Sequence, residues 1–208
     1  MTKTSNAIIF QQELSKKIIS KNDLPKNIRR ICGIDISYKG NTAYCSAVIL
    51  NKKNLKTIES VNFLTTVTSP YIPGLFMLRE SKPILKTLDK LKNNFDLLYV
   101  DGHGKLHPRQ CGLACYIGLA IDKPVIGVGK SLLCGKIRSD KKVEFQGQVL
   151  GHTLIHNNKK IFVSVGHKIS LKTAVKITDE LVLPNQWYPE PLRIADKNSK
   201  QLRNSKNP

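Results

Sequence analysis

The run Leu97-Leu98-Tyr99-Val100-Asp101-Gly102 is four apolar residues without alternation, stopped by an acid and a glycine. A strand with one wet face alternates; this one does not, so it suits a strand covered on both sides. Val125-Ile126-Gly127-Val128 repeats the pattern. Between them a glycine-punctuated loop, Gly102 to Pro108, leads to a helix predicted at about 109–121. Strand, helix, strand at this spacing is a parallel crossover unit.

The segments on either side fit around that unit. Ile8, Ile9, Phe10, Leu14, Ile18 and Ile19 recur at helical spacing, which predicts an amphipathic helix over about 6–20. Strands follow at about 31–38, 43–50 and 57–67. Gly40-Asn41 and Lys52-Lys53-Asn54 make short turns between them, so these strands are antiparallel neighbours. Ser69-Pro70-Tyr71-Ile72-Pro73-Gly74 is a stiff, extended loop, because proline fixes φ and restricts the residue before it. A helix is predicted at about 75–92, kinked at Pro83. Beyond the crossover unit, strands are predicted at 143–150, 152–157 and 160–166, then helices at about 170–182 and 190–203. The tail 204–208 is expected to fray. A meander, a helix and a crossover unit make an α/β fold with a mixed sheet and helices packed on it.

The chain has 208 residues and is 40% hydrophobic, which suits one domain spanning 1–208 with one sizeable core. Lys and Arg total 34 against 15 Asp and Glu, a formal charge of +19. That balance favours a densely anionic partner, nucleic acid first and a membrane surface second. AT-rich coding can also raise Lys and Asn, so charge licenses a partner without naming a chemistry. No apolar run approaches a membrane span, and no leader pattern opens the chain. Five scattered cysteines with no C-x-x-C read as reduced core thiols of a cytoplasmic protein.

Three acids stand out. Asp35 lies within the first predicted strand with Ile on both sides, Asp101 ends the buried strand at 97–100, and Glu80 lies one helical turn past the proline loop. Each alone could be a salt bridge or a cap. Buried carboxylates must nonetheless be paired, hydrogen-bonded or bound to a cation. Strand ends of an α/β sheet are also where ligands bind. Three such acids in a basic chain point to a divalent cation. Mg²⁺ suits them because it takes oxygen ligands and keeps several waters. A divalent ion on a basic protein suggests phosphodiester hydrolysis. Tyr71, between prolines, reads either as ordinary packing or as a rigid wedge against a nucleobase. His167 lies between a predicted strand and a helix, as a cap or core residue or beside the metal site.

Other motifs fall away. Gly127-Val128-Gly129-Lys130-Ser131 looks like the end of a P-loop, but Pro124 stands where its first glycine belongs. His103 and His107 are four apart in a loop with no Cys partner, which does not make a zinc site.

These blocks together resemble the endonuclease V family, the inosine-directed nucleases, over nearly the whole chain. The matching residues are Gly33 to Tyr38, Pro70 to Gly74 with Arg79-Glu80, Val100-Asp101-Gly102 through His107-Pro108-Arg109, Ile126 to Ser131, Cys134-Gly135, Gly166 to Ser170 and Pro189 to Arg193. The resemblance implies an RNase H-like sheet. It implies Mg²⁺-dependent cleavage, with Mn²⁺ able to substitute, of the second phosphodiester 3′ to inosine, leaving 3′-hydroxyl and 5′-phosphate ends. By resemblance Asp35 and Asp101 would be metal ligands, with Glu80 acting at the metal and His167 completing the catalytic set. Tyr71 would be the wedge. The backbone near Gly102 would receive the hypoxanthine base, with His107 and Lys130 near the scissile phosphate. Many members carry Gln or Asn where His103 stands and Ala where Gly129 stands. The expected partner is inosine-containing DNA or RNA, bound by a monomer in the cytoplasm. A non-catalytic nucleic-acid-binding module and another RNase H-like nuclease remain alternatives at this point.

Overall fold

The computed structural model describes residues 3–70 and 72–205, with the parallel unit at its centre. α1 (Lys3–Lys16) precedes the meander of β1 (Arg30–Lys39), β2 (Thr42–Asn51) and β3 (Thr57–Thr66). The β1–β2 turn uses Gly40 at φ +56°, a left-handed conformation that glycine takes without a Cβ clash. α2 (Phe76–Leu88) leads to β4 (Leu97–Asp101), α3 (Leu113–Ile121) and β5 (Val125–Gly129). β6 (Lys136–Ile137), β7 (Lys142–Phe145), β8 (Gln148–His156) and β9 (Lys159–His167) follow, then α4 (Leu171–Glu180) and α5 (Glu190–Ser205).

Among the described residues, nine strands form one sheet in the order β3-β2-β1-β4-β5-β9-β8-β7-β6. β1, β4 and β5 run parallel, while β2 and β9 run antiparallel to their neighbours β1 and β5. The chain winds outward in both directions from the β1–β4 pair. The crevice at the carboxyl end of such a switch point is where an α/β sheet binds ligands.

Both faces of the central strands are covered. Leu97 and Tyr99 pack with Ile126, Val128, Ile177, Leu181 and Leu192 beneath α4 and α5. Leu98 and Val100 pack with Met77, Ile84, Leu113 and Ile117 beneath α2 and α3. That double burial explains the unalternating run. Truncating Leu98 to Ala would cost about 2–5 kcal/mol in so closed a site. α5 sits unusually close to β1. A Cβ on Gly33 would lie 2.2 Å from the carbonyl oxygen of Pro191, so only glycine admits this approach.

The structure departs from the sequence reading in places. The predicted strand at 143–150 is two strands, because Gln146 and Gly147 take φ of +51° and +73° and turn the chain into a hairpin. α2 runs unbroken through Pro83, and α5 stays helical to Ser205. α1 ends at Lys16, and its buried positions are Ala7 and Gln11, whereas Ile9 and Phe10 are 46% and 50% exposed. The apolar count placed the wrong face inward; a small residue and an amide form the docking face.

Candidate active site

Register alone brings the first two acids together. Ile34 pairs with Val100 in the parallel β1–β4 ladder, so Asp35 and Asp101 are next to each other at the carboxyl end. Their carboxyls are close enough to interact directly. Burial, then the neighbouring Asp101, pushes the Asp35 carboxyl well above its usual range. Ser199 on α5 donates a hydrogen bond to Asp35 Oδ2 at 3.1 Å. Glu80 enters from α2, where burial and then Asp101 raise its carboxyl to about 7, and Tyr38 donates to its Oε1 at 3.4 Å.

Lys130 follows β5 and reaches into this group. Its ammonium lies 2.5 Å from Asp101 Oδ2 and 3.7 Å from Asp196 Oδ1. Burial opposes its charge, but Asp101, Asp35 and Asp196 outweigh that and keep it protonated. The ring of buried Tyr188 lies 4.9 Å from the same ammonium. Asp101, Asp35 and Asp196 thus act on one ammonium, with Glu80 beside Asp101, inside a protein of charge +19. Asp196 also pairs with Lys200 at 2.7 Å. Asp35, Glu80, Asp101, Gly102 and Lys130 all line one cavity of about 260 Å³.

Asp196 is the residue that sequence reading missed. In Ile194-Ala195-Asp196-Lys197-Asn198 it looks like a solvated helix acid. Only the close passage of α5 over Gly33 carries it to Lys130. The neighbouring Pro189 to Arg193 block was the available signal, three residues short.

His167 is not part of this group, which corrects the sequence-based expectation. β9 runs antiparallel to β5, so His167 pairs with Val125, the first residue of β5, while Lys130 follows the last. Four residues of strand at roughly 3.3 Å each separate the two ends, about 13 Å. There His167 Nδ1 accepts from the Ile19 N–H at 3.3 Å, and its Nε2 lies 3.6 Å from Asp122. Burial holds its pKa below the usual value. It anchors the segment after α1.

A second cavity of about 200 Å³ adjoins the first, sharing Phe76, Gly102, His103 and Ser131 in its wall. His107 lines this one, not the carboxylate cavity. Its Nε2 donates to the Gly74 carbonyl at 3.0 Å, while its Nδ1 accepts from the Arg109 N–H at 3.2 Å. Burial, then Arg109, depresses its pKa to about 4, so the ring is neutral. His103 Nε2 donates to the Ser131 carbonyl at 2.9 Å, and its buried Nδ1 has no protein partner. A Cβ at Gly129 would lie 2.4 Å from the His103 ring, so His103 and Gly129 are one steric pair. Tyr71 lies outside the described residues.

A family model described as Endonuclease V matches residues 12–197. The chain belongs to the endonuclease V family. It is 42% identical to endonuclease V of Pyrococcus abyssi over 91% of this chain and 88% of that one. It is 39% identical to the Thermofilum pendens endonuclease V, over 89% and 82% of the two chains. The crystal structure of Bacillus subtilis endonuclease V superposes with a TM-score of 0.89 at 26% identity, covering 99% of this chain and 94% of that one. The Ciona intestinalis endonuclease V, crystallised with a 24mer DNA containing an inosine followed by a ribo-adenosine, gives 0.87 at 25% identity, covering 98% and 99%. The RNase H-like sheet expected from the sequence is the endonuclease V fold. Among the described residues no helix is long and apolar enough to cross a membrane.

Proposed function

We propose that this protein is a divalent-metal-dependent endonuclease that cuts the second phosphodiester 3′ to inosine, leaving 3′-hydroxyl and 5′-phosphate ends. The observation that carries this reading is the gathering of Asp35, Glu80, Asp101 and Lys130 in one cavity at the switch point, with Asp196 reaching Lys130, beside a separate cavity of about 200 Å³.

The donor set fits the metal. Among the described residues no three His, Cys, Asp or Glu side chains form a ready cage. What the site offers a cation is the Asp35–Asp101 pair, both hard oxygen donors. Mg²⁺ is commonly held by one or two carboxylates and several waters, and Mn²⁺ accepts the same ligands. Two adjacent carboxyls, one of them buried, also call for positive charge beside them, which Lys130 supplies at Asp101 and a metal would supply to both. Bound there, Mg²⁺ supplies Lewis-acid stabilisation of the charge building on the phosphate.

The protein's own groups do the rest. The +19 charge gathers the strand, with strong salt dependence. The 200 Å³ cavity receives the extruded base, and Gly102 lets it approach the backbone closely. Lys130 holds a non-bridging phosphate oxygen, and Glu80 orients the attacking water in line with the leaving oxygen. Tyr71, in the proline loop, fills the gap left in the stack. The five free thiols suit a reducing compartment, and we place this monomeric enzyme in the cytoplasm, in DNA repair or inosine-RNA turnover.

The test uses matched single strands of DNA and RNA, each with one central inosine, in Mg²⁺ and in EDTA. A Mg²⁺-dependent cut at the second bond supports the reading, and the faster backbone names the substrate. Tight, salt-sensitive binding with no cut on either would replace it with a binding module.

A further inference from the structure

We propose that Gln11 is a positioning residue that fixes the proline loop over the base cavity, and thereby sets how strongly the protein prefers an inosine-containing strand. The proposal rests on the reading that this cavity takes the extruded base.

Gln11 is a polar residue on a mostly exposed helix, yet it is only 1% exposed. Its amide nitrogen donates to the Cys111 carbonyl at 2.6 Å and to the Gly74 carbonyl at 3.2 Å. Its Oε1 accepts from Arg109 Nε at 2.6 Å. An amide has two N–H donors and one acceptor oxygen, so every group it carries is engaged. Such full use is what burying an amide requires, and it makes the side chain rigid.

The Gly74 carbonyl is the focus. Besides Gln11 it receives Arg109 Nη2 at 2.6 Å and His107 Nε2 at 3.0 Å. Three donors converge on one oxygen, from α1 and from the loop between β4 and α3. Gly74 itself has φ +74°, and a Cβ there would lie 2.9 Å from Arg109 Nη2. The clamp and the glycine therefore fit each other. Gly74 follows Pro73, whose φ is held by its ring, so fixing the Gly74 carbonyl also constrains the residue before it.

Gln11, Gly74 and His107 line the 200 Å³ cavity, and none of them lines the carboxylate cavity. A change at Gln11 therefore acts on recognition of the base ahead of chemistry. Gln11→Glu keeps the shape but sets an acceptor against the Gly74 and Cys111 carbonyls. Gln11→Met keeps the volume and removes every hydrogen bond. Gly74→Ala strikes the same clamp from the loop side.

The experiment measures Kd for inosine-containing and unmodified single strands by fluorescence anisotropy in EDTA, then kcat and KM in Mg²⁺, alongside Tm. The Kd ratio of wild type is expected to fall by about tenfold in each variant, through weaker binding of the inosine strand alone. The unmodified strand should bind within about twofold of wild type, since its binding is electrostatic. The loss on the inosine strand should fall on KM more than on kcat. A folded Gln11→Met that keeps the wild-type Kd ratio would overturn the proposal. A fall in kcat with the ratio intact would also overturn it. If Gln11→Glu does not fold, Gln11→Met and Gly74→Ala decide. A wild type with no preference for inosine would instead defeat the underlying reading of the cavity.

Discussion

Two clusters of charge cap the two ends of the same sheet. At the carboxyl end, Asp35, Asp101 and Asp196 act on Lys130, and Glu80 lies beside Asp101. With Lys200 on Asp196 and Arg79 near Glu80 the acids still outnumber the bases, and two of them are buried deeply enough to have raised pKa values. At the amino end, His167 and Lys168 face Asp122 and Asp23 at 3.0–3.6 Å, with Asp122 75% exposed. The residue types overlap, but the physics does not. The amino-end cluster keeps its acids in water: Asp122 and Asp23 are 75% and 65% exposed, so solvent satisfies them along with Lys168. The carboxyl-end cluster takes Asp35 and Glu80 out of water beside a third acid, a costly arrangement that marks a site suited to an added cation.

The largest expected effect comes from the unbalanced end. Asp35→Asn or Asp101→Asn should lower kcat by about 10³-fold or more while strand binding in EDTA is kept or tightened. Cleavage at the wild-type rate would show that the imbalance has no catalytic meaning. Asp196→Asn should lower kcat by about 10–100-fold, since Lys130 loses its second carboxylate and is left to Asp101 alone. A single-turnover assay separates that from slow product release.

At the amino end, His167→Gln should leave cleavage within about twofold and lower Tm by about 2–6 °C, from loss of a buried hydrogen bond. The comparison breaks if His167→Gln abolishes cleavage at unchanged Tm. His107 gives a proton-linked version of the same test. Its pKa is about 4 when folded, against the ordinary 6.5 unfolded. The unfolded chain therefore binds the extra proton between those values. The stability it contributes is full above pH 6.5 and is lost as pH falls toward 4. In urea titrations, the stability difference between wild type and His107→Gln should change with pH only in that window. Smallest of all, Lys168→Ala should shift Tm by about 3 °C or less, because its ion pairs are with exposed acids.

The sequence made the parallel unit readable because β4 and β5 are apolar on both faces and are punctuated by glycine. It exposed Asp35 and Asp101 for the same reason: an acid inside or ending such a strand is conspicuous. His167 was misplaced because its surroundings say strand then helix, and nothing local says which way the strand runs. The antiparallel insertion of β9 beside β5 is a long-range fact. Asp196 was invisible because its neighbours are charged and its helix reads as a wet surface. Gln11 was overlooked because Ile9 and Phe10 dominate the periodicity of α1, although both face solvent.

The contact of α5 on Gly33 also orders events in time. Asp35, the first carboxylate of the site, lies far upstream in the chain of Asp196, which pairs with Lys130 from α5. A nascent chain holds most of its sheet long before that last helix can dock. Until α5 docks, Asp35 lacks the Ser199 hydrogen bond and Lys130 lacks its second carboxylate, so the last helix made sets the last wall of the site.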